Sequence, residues 1–307
     1  MTFGHMRSLG AGLLALVTLA CRDTGRSASD SARGSLPPIF PSAPASSTNW
    51  DVDAGPVMLV SIGNSTDSAA VILPEVTDST IASVQGNGAP VAGLVFDLFG
   101  KGGKVEGSTP VVALRLADTK QECYGWPLAG VRTAGSEWRI GFASGHAQAI
   151  ELDSIEAMPS TDSAALAASL AQTAATLAIA SDPTFRGLPF RVRSAYTFRL
   201  DSVEVVLADV VRSVNEEANP RLEHLLIIGE RPAGTTGKYT AGYYSRTAGA
   251  EETTQATEVL AAVKIGPSKT LAVVVNIEYD DGRKLGLIER TAPGQWRSRW
   301  RSAYTDC

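Results

Sequence analysis

Histidine and cysteine are scarce in this chain, with three of each in 307 residues. Structural zinc sits in clusters of Cys and His ligands, and the sequence has no such cluster, so no metal site is expected. A basic excess is lacking too: 32 acidic residues stand against 27 basic ones, for a net charge of −5. Neutralising phosphates takes a concentrated basic surface, so nucleic acid is not an expected partner. Long apolar runs are also missing. The first run, Leu9 to Ala20, is shorter than the roughly 20 residues a helix needs to cross a bilayer.

That run is preceded by Arg7, contains no acid and closes on small residues, the layout of a secretory signal peptide. Its last residues and the next, Thr18, Leu19, Ala20 and Cys21, resemble the lipobox of bacterial lipoproteins. The resemblance covers residues 1–21. It implies cleavage just before Cys21, a diacylglyceryl group on the Cys21 sulfur and a further acyl chain on its amine. Two or more chains hold a protein stably in a bilayer. The alternative is an ordinary signal peptide with an incidental cysteine. Arg22 follows, where Asp would signal retention in the inner membrane of many Gram-negative bacteria, so the resemblance implies the outer membrane. The next stretch, 22–49, is rich in Ser, Ala, Pro and Gly. It reads as a disordered tether with a mean reach of about 30 Å.

The remainder, from about Trp50, has the length of one large or two modest domains. Short runs of Val, Ile, Leu and aromatics recur at 56–62, 69–75, 94–100, 110–118, 203–211, 221–230, 259–266 and 270–279. These predict strands, and the turn residues between them predict antiparallel pairing. One segment departs from the pattern. In "TDSAALAASLAQTAATLAIASDP", 161–183, alanine dominates, Leu166, Leu170 and Leu177 share a face, Thr161 or Asp162 can cap the start and Pro183 stops the run. The expected fold class is therefore mainly β: antiparallel meanders in two lobes, 51–160 and 183–307, joined by one Ala-rich helix at 161–182 packed between them. "RTAGSEWRIGFAS" at 132–144 aligns without gaps on "RTAPGQWRSRWRS" at 290–302. The match reads either as a duplicated meander or as convergence on common hairpin chemistry.

The last meander allows a finer reading. A three-residue loop of Asp280, Asp281 and Gly282 sets Ile277 opposite Leu285 and Glu278 opposite Lys284. Further on, Trp296, Ser298, Trp300 and Tyr304 alternate with Arg297, Arg299 and Arg301. Alternation puts the three guanidinium groups on one strand face, about 6.6 Å apart. They form either a row that grips phosphate or carboxylate groups of an anionic envelope component, or a solvated face paired with nearby acids.

Other chemistry is thin. "GKGGK" at 100–104 lacks the spacing and the Ser/Thr of a phosphate loop, and "DVDAG" at 51–55 lacks the later ligands of a calcium loop. Ser144 and His146 would share a face if that strand continues, but the segment has no assigned acid or oxyanion hole. No cofactor and no catalytic set are expected. The sequence thus points to a membrane-anchored envelope lipoprotein with a noncatalytic binding or structural role, meeting the membrane through its lipid and binding an anionic envelope component or a protein partner. The alternative is an envelope hydrolase using Ser144 and His146.

With Cys21 acylated, Cys123 and Cys307 remain as an even pair in an exported chain, and export favours a disulfide between them over two buried thiols. Mass spectrometry of unreduced tryptic peptides from envelope-isolated protein should find the two joined; free thiols at both positions would refute the pairing.

Overall fold

A computed structural model describes residues 58–62, 67–72, 93–115, 128–132, 137–178, 182–215, 219–279 and 282–302. Cys21, Cys123, Cys307, Tyr304 and the whole of the signal and tether segments lie outside these residues. Within them the fold is mainly β and antiparallel, with a single α-helix.

Six strands close a barrel in the order β1-β2-β5-β4-β3-β6: β1 (Met58–Ser61), β2 (Ser68–Ile72), β3 (Val95–Gly100), β4 (Gly103–Arg115), β5 (Leu128–Val131) and β6 (Ile140–Ala143). Alternate residues fill it, among them Leu59, Val71, Phe96, Leu98 and Trp138. The intervening residues, including Met58, Val60, Ile72, Ile140 and Phe142, point outward yet are buried as well. They pack on a five-stranded central sheet, ordered β16-β15-β14-β13-β7. Its strands are β7 (Ala147–Ile150), β13 (Ala256–Ile265), β14 (Thr270–Glu278), β15 (Arg283–Ala292) and β16 (Gln295–Arg301).

The other face of the central sheet meets a five-stranded outer sheet, ordered β12-β11-β10-β9-β8. Its strands are β8 (Asp153–Ser154), β9 (Arg191–Leu200), β10 (Val203–Val214), β11 (Arg221–Pro232) and β12 (Thr240–Ala250). On its far side lies α1 (Ser160–Leu177), which buries Leu166, Leu170 and Ala174 at four-residue spacing against Val206, Ala208, Val210 and Ile227. Its polar residues satisfy themselves locally, Thr173 and Thr176 each donating to the carbonyl four residues back. The helix starts after Pro159 without a side-chain cap. It covers one face of one sheet instead of sitting between two lobes.

The layers also differ from two lobes in sequence. β7 pairs with β13 and β8 with β9, so strands from the first half of the chain complete both sheets of the second. The two similar segments close differently: β6 sits between β1 and β3, whereas β16 pairs with β15 alone as a sheet edge. Their aligned residues Phe142 and Trp300 nonetheless enter the same layer, between barrel and central sheet.

Hairpin register departs from the expectation by one residue. Asn276 faces Leu285, Ile277 faces Lys284 and Glu278 faces Arg283, and Tyr279 N–H donates to the Gly282 carbonyl at 2.7 Å. Alternation specifies register only when one face is wet, and both faces of β14 are covered.

The two sheets touch closely at their β12 and β16 edges. A Cβ on Gly242 of β12 would lie 2.6 Å from the Gly294 carbonyl oxygen and 2.9 Å from Trp296 Cδ1. Gly294 itself has φ of 68°, as the tight β15–β16 turn requires. Gly242→Ala should therefore push the edges apart and lower stability by about 1–3 kcal/mol; unchanged denaturant unfolding would contradict this contact.

Candidate functional site

Glu230, near the end of β11 and 7 % exposed, faces the central sheet. It accepts hydrogen bonds from Arg290 Nε and Nη2, both at 2.7 Å, from Trp296 Nε1 at 2.7 Å and from Gly294 N–H at 3.0 Å. The fork of Arg290 fits both carboxylate oxygens. Burial alone would raise the Glu230 pKa, but the Arg290, Gly294 and Trp296 bonds outweigh it and hold the carboxyl below its ordinary 4.5. All of these donors come from the β15–β16 hairpin, so this is the principal polar tie between the two sheets.

The expected arginine row is broken by that same hairpin. Leu287 pairs with Trp300 and Ile288 with Ser298, leaving Arg299 as a bulge residue. The extra residue reverses the alternation beyond it. Trp296 and Ser298 face the outer sheet, Trp300 faces the barrel, and Arg301 turns to the outer-sheet side beside Tyr243. Arg297 Nε lies 2.7 Å from Glu289 Oε1, and Arg299 Nη1 lies 3.6 Å from Glu289 Oε2. Two of the three guanidinium groups thus share one carboxylate, and the third leaves their face altogether.

Where Arg301 points, the two sheets part slightly. Tyr243 and Ser245 of β12, Thr257 of β13, and Ser298 and Arg301 of β16 line a cleft with an apolar wall that includes Val275 and Ile288. Burial pushes the Tyr243 phenol up to about 12, with Arg301 opposing the rise. Burial also draws the Arg301 pKa below its ordinary value, partly offset by the phenols of Tyr243 and Tyr279. The sequence flagged Arg301 for a different reason. Tyr243 and Ser245 carried no signal, because "TAGYYSRTAGA" mixes small, polar and aromatic residues without alternation.

Two further ionic groups lie on the outer sheet. On the face toward the central sheet, Asp209 meets His224 Nδ1 at 3.3 Å and Arg193 Nη1 at 3.2 Å. Thr247, directly opposite His224, uses its hydroxyl on the Gln255 carbonyl at 2.6 Å. On the helix face, Glu223 is fully buried between Arg212 and Arg246, and the Arg212 guanidinium lies 4.5 Å from the Phe190 ring centre. Glu223 is thereby compensated on both sides, and the arrangement is structural.

Ser144 and His146 lie exposed on the turn between β6 and β7. The nearby acid, Asp97, accepts from Gly145 N–H at 3.0 Å and pairs with Lys104 at 2.9 Å. Burial would raise the Asp97 pKa, but these partners and the Ser144 hydroxyl together lower it. The acid therefore engages the serine side of the turn, and among the described residues no hydrogen bond joins Ser144 to His146. A nucleophile relay needs the histidine between serine and acid. No group of three or more His, Cys, Asp or Glu is arranged for a metal ion among the described residues.

No protein-family model matches the chain, and neither a curated protein nor a solved structure matches it.

The Glu230 tie makes a direct prediction. Glu230→Gln leaves the partly buried Arg290 without its counter-charge and should lower stability by about 3–5 kcal/mol at neutral pH. Because the folded pKa is depressed, the carboxylate's contribution is full above the ordinary 4.5 and is lost as the pH falls through the lower folded value. Denaturant unfolding across pH should show the wild-type advantage shrinking in that acidic window; an advantage independent of pH would count against the assignment.

Proposed function

We propose that the chain is a bacterial envelope lipoprotein, anchored through acylated Cys21 and acting by binding or as a structural component. The observation that carries this reading is the short apolar run after Arg7 that closes on Thr18, Leu19, Ala20 and Cys21. A run of that length is too short to span as a helix and suits a cleaved leader. Among the described residues, no helix is long and apolar enough to cross a membrane, so the lipid is the membrane contact this reading relies on.

The Ser-, Ala- and Pro-rich residues after Cys21 would let the layered β body stand away from the bilayer. Arg22 favours the outer membrane, and the oxidising space beyond the inner membrane suits a Cys123–Cys307 disulfide. For the body, binding is favoured over hydrolysis because Asp97 caps the Ser144 turn instead of orienting His146. An anionic envelope component would meet Arg297 and Arg299 in competition with Glu289, so its attraction should be weak and salt-sensitive.

Cys21→Ser should leave the precursor uncut or release the protein from membranes on fractionation. A variant still processed and membrane-bound like the wild type would refute the anchor.

A further inference from the structure

Among the described residues three large apolar side chains stand in solvent: Val95 at 42 %, Val112 at 50 % and Tyr244 at 44 % exposure. Two of them share one end of the barrel. Strand β1 enters the fold at Met58, which faces Phe142 of β6; the next β6 residue, Ala143, faces Phe96 of β3, and Val95 faces Pro110 of β4. Val95 and Pro110 therefore lie at the end where the chain arrives from its N-terminal side. Pro110 and Val112 are both exposed, while Val111 between them fills the barrel. Val112 leans across β5, where a Cβ on Gly130 would come 3.3 Å from its Cγ2. Asp97, two residues from Val95 on β3, is buried and paired with Lys104, so it sets no bare charge beside them.

We propose that this barrel end docks on the surface of a lipid bilayer, seating Val95, Pro110 and Val112 among the headgroups and upper acyl chains. The proposal rests on the lipid anchor at Cys21. Its occupant follows from the chain outside the described fold and where that chain ends. With Cys21 acylated, residues 22–57 link the bilayer to Met58. An unstructured chain of that length has a mean reach of roughly 30–35 Å, whereas a compact body of about 250 residues is about 45 Å across. The entry end is thus the part held nearest the membrane. Tyr244 faces the helix side of the outer sheet, beside Ile227, and is held away from it. Anchoring also lowers the demand on the patch. Interfacial binding scales with the apolar area buried, and two valines and a proline supply only a modest area. A contact too weak to recruit a free protein suffices once a tether makes it intramolecular. The link permits the body to stand off without holding it there, and docking would turn the outer sheet and α1 away from the bilayer.

Photo-crosslinking of the full chain, expressed in a bacterium and reconstituted with phospholipid vesicles, tests this. The probe is p-benzoylphenylalanine in place of Val95, Val112 or Tyr244, one at a time. Mass spectrometry should find phospholipid adducts at positions 95 and 112, with at least about fivefold fewer at the equally exposed position 244. In a Val112→Asp background the yield at position 95 should fall at least about threefold, because a carboxylate resists leaving water. Vesicle-bound protein with no adducts, with equal yields at all three positions, or with a yield undiminished by Val112→Asp would overturn the docking and leave the anchor standing. Crosslinks from positions 95 and 112 to a second copy in place of lipid would overturn it in favour of self-association. Protein that does not float with the vesicles would overturn the anchor and the docking together.

Discussion

One carboxylate, Glu230, collects four donors from a single hairpin, and the layered arrangement depends on it. Apolar surfaces attract without direction, so two sheets with valine and isoleucine faces could slide over each other at little cost. The fork of Arg290, the indole of Trp296 and the turn amide of Gly294 have directions, and they converge only when β11 and the β15–β16 hairpin are correctly aligned. That alignment brings Gly242 against Gly294, beside the small cleft between the two sheets. It also sets which face of the central sheet remains for the barrel.

The inner strands of the central sheet have no wet face. They are covered by the barrel on one side and the outer sheet on the other, so β13 and β14 are apolar nearly throughout. Barrel strands β1 and β2 behave alike, filling the barrel with one set of residues and gripping the central sheet with the other. Burial on both faces concentrates hydrophobic stabilisation in short strands. Lys101 reinforces the stack from the barrel side: its ammonium lies 2.9 Å from Glu258 of the central sheet and 5.2 Å from the ring centre of Tyr196 in the outer sheet.

This double burial also decides how much the sequence reveals. Each of the eight apolar runs overlaps a strand, because residues such as those of "VEVVLADVV" and "TLAVVVNIEY" have no other way to hide. The helix is legible for a different reason, as the one alanine-rich segment with leucines four apart. Strands β9 and β12 are hidden in the sequence: "RVRSAYTFRL" and "TAGYYSRTAGA" interleave charged and small residues, and β12 is an edge with a single neighbour. The hairpin register is illegible where both faces are apolar, and the arginine row fails at one bulge residue, Arg299, that shifts every later side chain to the opposite face. Glu230 looks like any acid at a strand end. Its importance comes from Arg290 and Trp296, sixty or more residues away in the chain.

The pairing of β7 with β13 has a consequence for how the protein must come into being. A chain that appears from its N-terminus can complete the barrel as soon as β6 is present, since every barrel strand lies within the first half. Its outer wall of Met58, Val60, Ile72, Ile140 and Phe142 then has nothing to lie against until β13 to β16 arrive at the far end. Strand β7 waits over the same interval as an unpaired ribbon beside that wall. The nascent molecule therefore passes through a sticky half-built stage whose length is set by the whole outer sheet in between. Slowed delivery of the C-terminal third would prolong that stage and favour association between copies over completion of the fold.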